Sequence, residues 1–557
     1  MDPDHGHIVT GNLKVVENYI LRVLLSKGPS YREANNIDWG KVYLCIRNGI
    51  SDYVKKWSDK EKVDVRVLSE WKCRLLLEVK SKIKILRKHK HYPKRKKTLD
   101  DEDVKSYLDD FHNKFVITPT DKAGNNFSIV CKKFYIQCLL KELGILNPIQ
   151  EVNSQATYTH IGDQTKQQIV DKHVKYMKRH GVVLESAQES LPFLYWIPKM
   201  HKNPTKQRYI AASHCCSTKP LSKMITFCLK LVQQTHKNYC ARISKTRRFN
   251  RMWIVDNSVE VLNKISQCNK KSVKNVRTYD FSTLYTSIPH EKLKKRITRV
   301  IDQCFNKDGR RYIRINKASA CWSRTRGNNK TSWNKKELTD HINYLIDNIY
   351  VMCGDELFRQ VIGIPMGTDC APFLANLFLY SYECEWMDKK LENKEFDILH
   401  KFNNCVRYID DLLCINNDQT MDDVMTEIYP EELRLTSDDA FLLTNYLDLR
   451  IEVRNNKIHT SLFDKRDAFG FKVVNFPDLT GNIPTKQSYG VFVSQLIRYA
   501  RCCQDFKDFR TRTLILVKRL VKQHFDVNLL RRTFQKFAES YYELLAKYSD
   551  RVCSTCF

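Results

Sequence analysis

Three acids stand where their neighbours could turn them to chemistry. Asp280 closes the segment Val276-Arg277-Thr278-Tyr279-Asp280-Phe281, whose residue types predict a strand with one acid at its end. Asp410 and Asp411 stand together in Cys405-Val406-Arg407-Tyr408-Ile409-Asp410-Asp411-Leu412-Leu413-Cys414-Ile415. Paired acids between two apolar runs predict a β-hairpin with the acids at its tip. Adjacent carboxylates repel each other, and burying them unpaired is costly. A cation relieves that cost. Mg²⁺ takes oxygen ligands in octahedral geometry and usually completes its shell with substrate phosphates. Two such ions about 4 Å apart can activate a 3′-hydroxyl and stabilise a leaving pyrophosphate. An isolated Asp-Asp is ordinarily a surface turn, so the reading depends on what surrounds it.

The surroundings are ordered. Between the two acidic segments lies Gln360-Val361-Ile362-Gly363-Ile364-Pro365-Met366-Gly367-Thr368-Asp369-Cys370-Ala371-Pro372, a glycine-marked turn leading into a helix over 373–385. Upstream, Leu194-Tyr195-Trp196-Ile197-Pro198-Lys199-Met200-His201-Lys202 precedes Gln207-Arg208-Tyr209-Ile210, a basic hairpin. Earlier still, 115–118 and 127–131 flank the turn Asp121-Lys122-Ala123-Gly124-Asn125-Asn126. Downstream, Tyr446 to Val453 alternates at period two and Asn455-Asn456 turns it back through Ile458 to Phe463. Helices are expected over most of 10–90, over 164–180 and from Tyr489 onward, with strands and turns setting in at Phe111.

Taken in order, these segments resemble the palm of reverse transcriptases, with Asp280 at motif A, Gly363 to Gly367 at motif B and Tyr408-Ile409-Asp410-Asp411 at motif C. The wording "DFSTLYTSIP", "QVIGIPMGTDCAPFLANLFL" and "RYIDDLL" is similar to that of the Penelope-like retroelement family, which is related to telomerase. The resemblance covers roughly 110–540. It implies an α+β right-hand polymerase (fingers, palm and thumb) with a helical, basic N-terminal extension. The expected divisions are 1–110 for the extension, 111–270 for fingers, 271–465 for palm and primer-grip hairpin, and 466–557 for a helical thumb and tail. The implied activity is RNA-directed DNA synthesis from a primer 3′-hydroxyl, with two Mg²⁺ ions and Mn²⁺ able to substitute. Partners would be an RNA template, a DNA primer or target end, and dNTPs, with no membrane.

The same resemblance assigns roles. Asp280, Asp410 and Asp411 would be catalytic, with Asp280, Asp410 and the carbonyl of Phe281 as metal ligands and Asp411 a weaker or indirect one. Lys199 would meet the nucleotide phosphates, and Arg208 would stack on the base and brace the triphosphate as a planar guanidinium can. Tyr285, five residues after Asp280, would bar a ribose 2′-hydroxyl. Met366 and Gly367 would support the nascent pair, the thioether by packing and the glycine by close backbone approach. Arg498, Arg501, Lys518, Arg519 and Lys522 would grip the duplex backbone in a sequence-independent, salt-sensitive way. One departure is plain: Arg434 is the only Lys or Arg between Leu412 and Leu447, and arginine is a poor proton donor to pyrophosphate. That role stays unassigned. The segment from Asp121 also resembles a family segment, but a turn is its safer reading.

Composition agrees with a polyanionic partner. The chain has 557 residues, 94 Lys and Arg against 63 Asp and Glu, and a net charge of +31. With 42% apolar and 11% aromatic residues it can bury large cores. No signal peptide and no spanning apolar run is evident, and the 20 cysteines are expected as reduced thiols of a soluble intracellular protein. Nine Lys or Arg between Lys82 and Lys97 form an acid-free run that reads as a nuclear-import signal, a phosphate-binding arm or a solvated linker. A nuclear site, with passage through the cytoplasm as a ribonucleoprotein, is the expectation. Neither a ribonuclease H domain nor the family's GIY-YIG endonuclease is expected after the thumb, and Cys553 with Cys556 supplies only half a structural zinc site. Two other readings compete. A non-catalytic nucleic-acid-binding protein would not need all three acids. A viral RNA polymerase would favour Gly-Asp-Asp and a polar residue in place of Tyr285.

Overall fold

A computed structural model describes residues 7–33, 37–61, 64–89, 97–146, 157–183, 190–203, 205–327, 331–418, 420–437 and 441–551. The cluster Pro93 to Lys96 and the Cys553–Cys556 pair lie outside the described residues. The fold is a mixture of helices and short sheets. No described helix is long and apolar enough to cross a membrane.

The central sheet has four strands in the order Val406–Tyr408, Asp411–Ile415, Val276–Phe281, Leu435–Ser437. Its strands are short, and apolar residues on its two faces join different clusters: Tyr279, Phe281, Leu412 and Cys414 one, Val276, Val406, Leu413 and Ile415 the other. On one side lie two long helices, Lys219–Arg247 and Ala371–Glu392. The second, predicted over 373–385, begins two residues earlier and ends seven later, and it is buried almost all round from Ala371 to Met387. Such a helix is a core helix rather than an amphipathic surface one. One apolar cluster runs from Met177 to Leu433 and joins these helices to the sheet. A second runs from Val255 to Tyr548 and packs the sheet's other side against the C-terminal helices Gly490–Cys502, Phe506–Val521 and Val527–Ser540. Both clusters cross the divisions expected from sequence.

A five-stranded sheet stands beside the central one, in the order Tyr158–His160, Glu356–Gln360, Tyr350–Cys353, Phe193–Lys199, Lys206–Ala212. It carries the basic hairpin at its edge. The helix Lys166–Arg179 falls where the pattern predicts one, started by a reciprocal Thr165–Gln168 capping box. Two expectations need correction. Phe111 does not begin strands; it is buried in the helix Glu102–Lys114, and the hairpin Phe115–Thr120/Ala123–Cys131 follows. Nor is Tyr446 to Val453 one strand. Leu447 takes a positive φ of 55°, so the chain turns there, and Leu443–Tyr446, Leu449–Arg454 and Lys457–Leu462 form a three-stranded meander.

The N-terminal helices Trp39–Glu61 and Val65–His89 pack on each other through Trp57 and Trp71, whose rings sit 6.3 Å apart edge to face. Leu68 is buried, while Leu44, Tyr53 and Leu77 remain exposed.

Candidate active site

Backbone register brings the acids together. The strands Val276–Phe281 and Asp411–Ile415 run antiparallel with Asp411 directly opposite Asp280. Directly opposed residues share one face of a sheet. The Phe281 N–H donates to the carbonyl of Asp410 at 3.2 Å, which ties the strand end to the hairpin tip. Ile409 takes a positive φ of 55°, unusual for a β-branched residue, to make that tip.

The tip is held from beneath. Arg407 is fully buried and its guanidinium donates to both carboxylate oxygens of Glu383, to the side chain and carbonyl of Asn376, and to the carbonyl of Ile409 at 2.8 Å. Tyr429 donates to the same Glu383 carboxylate at 2.9 Å, and its ring meets Phe281 edge to face. Tyr446 of the meander donates to the carbonyl of Asp411 at 3.1 Å, and Thr278 shares a 2.6 Å hydrogen bond with Thr444. The hairpin expected to grip a primer is thereby fixed against the acidic tip.

Electrostatics mark the site. Burial and the charge of Asp410 push Asp411 up to about 6. The same two causes raise Asp280, although its side chain stays open to solvent. Lys465 and Lys122 partly offset the effect at Asp411, and Lys202, Lys465 and Lys199 do so at Asp280. Lys199 is itself lowered by burial and by Arg208, against the opposing pull of Asp121 and Asp280. His201 is lowered by burial. The basic hairpin at the edge of the five-stranded sheet thus faces the carboxylates.

The glycine turn closes the third side. Gly363 has φ +86°, and a Cβ there would lie 2.4 Å from the carbonyl oxygen of Tyr285, so only glycine fits. The Tyr285 carbonyl accepts from Ile364 N–H at 2.7 Å. Burial raises the Tyr285 phenol, with the charge of Asp410 adding to it. Gly367 has φ +120°, and a Cβ would sit 2.3 Å from the carbonyl of Ala211. Ala211 N–H donates to the Met366 carbonyl at 2.9 Å, and Lys219 pairs with Asp369 at 2.9 Å. The turn therefore docks on the basic hairpin, and Met366 is half-buried.

Several of these residues escaped the sequence reading. Asp121 is buried and pairs with Arg208 at 3.3 Å, while its N–H donates to the carbonyl of Pro198. The signal was the Asp-Lys-Ala-Gly-Asn segment, which reads alone as a turn. Lys465 arrives from a short 3₁₀ turn, Lys465–Ala468, beyond the meander. The chain after it folds back on the Asp121 turn: Asn126 bonds the carbonyl of Lys472 and the N–H of Val474, each at 2.8 Å. No local pattern announces that return. Arg407 was visible, but its partner Glu383 lies in another element.

The basic helices split into two groups. Arg498 is engaged by Asp448 at 2.8 Å and Arg519 by Asp467 at 3.0 Å. Arg501, Lys518 and Lys522 are exposed. Of the five contacts predicted from sequence, those three enter no ion pair among the described residues and can present charge to a polyanion.

Among the described residues no group of three or more His, Cys, Asp and Glu side chains is arranged to hold a metal ion unaided. The donors that converge are carboxylates, hard oxygens whose mutual repulsion a cation would relieve. They suit an ion that completes its shell with water and substrate phosphates, rather than one caged by protein.

No family model matches the chain, and no curated protein matches it. Solved structures do. Telomerase from Candida albicans, in complex with a TWJ fragment of telomeric RNA, aligns with a TM-score of 0.50 at 12% identity, over 82% of this chain and 72% of that one. Apo telomerase from Candida tropicalis aligns with a TM-score of 0.39 at 12% identity, over 96% of this chain and 87% of that one. The BmCPV RNA-dependent RNA polymerase gives 0.33 at 12%, over 60% and 27%. At such identity the Candida albicans likeness is one of fold alone: this chain has a mixed α/β fold similar to that of a telomerase.

Proposed function

We propose that the chain is an RNA-directed DNA polymerase of the Penelope-like kind, with the right-hand arrangement that its motif order implies. The observation that carries the proposal is the register of Asp280 opposite Asp411, with the Lys199–Arg208 hairpin and the Gly363 turn facing them. Asp280, Asp410 and the Phe281 carbonyl would hold two Mg²⁺ ions, which supply activation of the primer hydroxyl and neutralise charge at the leaving pyrophosphate. The protein's own side chains do the rest. Lys199 and Arg208 take the triphosphate, Tyr285 lies under the sugar, and the meander holds the primer end. Arg501, Lys518 and Lys522 track the duplex backbone.

Primer extension on an RNA template tests this directly, with deoxy- against ribonucleotides and Asp410→Asn beside the wild type. The expected result is deoxynucleotide product from the wild type and none from Asp410→Asn, with template–primer binding retained by both. Binding without product from the wild type under Mg²⁺ or Mn²⁺ would replace the polymerase with a nucleic-acid-binding protein on the same fold.

A further inference from the structure

The helix Lys219–Arg247 reaches well beyond the site. Its first residue pairs with Asp369 beside the glycine turn. At 1.5 Å per residue, Tyr239 lies about 30 Å further along the axis. There the helix borders a cleft of 440 Å³, whose lining includes Tyr239, Arg242, Arg251, Lys307 and Arg310. A second cavity of 400 Å³ shares Tyr239 and Arg251 and continues past Arg247. Each volume falls in the range of ligand sites.

The charge here is predominantly positive, with Asp308 and Asp388 the acids of the two linings. From Lys237 to Arg251 the chain has six Lys or Arg and no acid. Some of that charge is spent internally: Lys237 on Asp256 and Glu260, Arg251 on Asp388, and Arg310 on Asp308. Arg242, Lys245, Arg247 and Lys307 are exposed and enter no ion pair among the described residues. A helix C-terminus favours cations, which accounts for Lys245 and Arg247 without any ligand. It does not account for Lys307 and Arg310, which come from the loop after another helix, nor for the cavity between them.

The walls are fixed. Trp322 donates its indole N–H to Thr235 at 2.9 Å, Phe305 meets it edge to face, and Arg310 lies 5.9 Å from its ring. His236 is buried against the carbonyl of Val300 at 3.0 Å. Tyr239 is 41% exposed, with Lys307 Nζ 5.7 Å and Arg251 Cζ 5.9 Å from its ring. An open aromatic ring framed by cations suits a base next to its phosphates.

We infer that this groove binds a single-stranded nucleic acid, its phosphates against Arg242, Arg247 and Lys307 and a base against Tyr239. Two joined cavities along the helix end give a track, which a strand fills and a lone nucleotide does not. The inference stands apart from the polymerase reading, since it requires no catalysis.

The test uses the full chain, without Mg²⁺ or nucleotide, and a short oligouridylate carrying 4-thiouridine. Irradiation and peptide mapping should find a cross-link in the peptide containing Tyr239. Arg242→Glu combined with Lys307→Glu should remove it and lower the salt dependence of binding by about 1.4, at about 0.7 per lost single-strand contact. Both positions are exposed, so the melting curve should not change, and extension of a short template–primer should persist. Tyr239→Ala should weaken the cross-link with charge untouched. Cross-links confined to the carboxylate cleft, an unaltered salt slope in the charge-reversed variant, or displacement of the oligonucleotide by equimolar ATP would each overturn the proposal.

Discussion

Two hairpins carry the charged residues of the site, and they treat charge in opposite ways. Under the Asp410–Asp411 hairpin, Arg407 is wholly buried with Glu383, Asn376 and the Ile409 carbonyl all engaged. In the Lys199–Arg208 hairpin, Arg208 is 32% exposed and meets Asp121 through one contact at 3.3 Å. Arg208 Nε and Asp121 Oδ2 are buried and make no hydrogen bond within the protein. A saturated ion network specifies one geometry, whereas an undersaturated one keeps capacity for a ligand. The acidic tip is accordingly a fixed platform, and the basic hairpin keeps unused hydrogen-bonding capacity, which on the proposed reading a triphosphate takes up.

The platform should fail first when its arginine is removed. Arg407→Met leaves Glu383 as an uncompensated buried charge, and breaking such a pair costs about 3–5 kcal/mol. Urea unfolding should show that loss, and adding Glu383→Leu should restore much of it, because a buried pair replaced by apolar groups is often neutral. A single variant as stable as wild type would mean that the network does not hold the tip.

Acid probes the helical packing around the two hairpins rather than the hairpins themselves. His173 bonds Ser217 at 2.8 Å on the basic-hairpin side, and His236 packs beside Tyr380 of the core helix. His341 lies against Trp333. Burial holds each down to about 4. Their folded values lie below the unfolded one, so the neutral rings stabilise the fold fully above about pH 6.5, and that contribution is lost as pH falls through about 4. Each is worth up to roughly 3 kcal/mol across that window. Denaturant unfolding at pH 7 and pH 4.5 should show the drop, and His341→Phe should reduce it.

The platform was far more legible in the sequence than its supports. Tyr408-Ile409-Asp410-Asp411 between apolar runs states a hairpin locally, and Asp280 at a strand end states its neighbour. Their register was not readable from the pattern; the antiparallel pairing of the two strands is what sets Asp411 opposite Asp280. Glu383 could not be paired with Arg407 in advance, since a helix buried all round offers no polar face to read. Asp121 read as a turn residue because its function lies in contact with a strand far along the chain. Lys465 depends on a fold-back held by Asn126, and no periodicity encodes that. The Tyr446 strand was misplaced because period-two alternation runs unbroken through the turn at Leu447.

Tyr285 is where the fixed platform should act on substrate choice. Its carbonyl is locked to Ile364 and abuts Gly363, so the ring has little room to retreat from a 2′-hydroxyl. Tyr285→Ala should raise ribonucleotide incorporation relative to deoxynucleotide by about 10- to 100-fold, or roughly 1.4–2.7 kcal/mol of lost discrimination. Single-nucleotide extension with competing sugars measures it. Unchanged discrimination would show that sugar choice lies elsewhere.

The smallest expected effect falls on the basic hairpin. Asp121→Ala removes one imperfect contact to a partly exposed arginine, so stability should change by only about 1 kcal/mol. Its consequence should appear in substrate binding instead. Without Asp121 the Arg208 guanidinium loses its side-chain brace, and the KM for the nucleotide should rise about tenfold, equivalent to about 1.4 kcal/mol. The turnover number should stay within about twofold, because the carboxylates are untouched. A fall in kcat at constant KM would move Asp121 from positioning Arg208 to shaping the transition state. A large loss of stability would erase the contrast between the two hairpins, since both would then be held by structural charge.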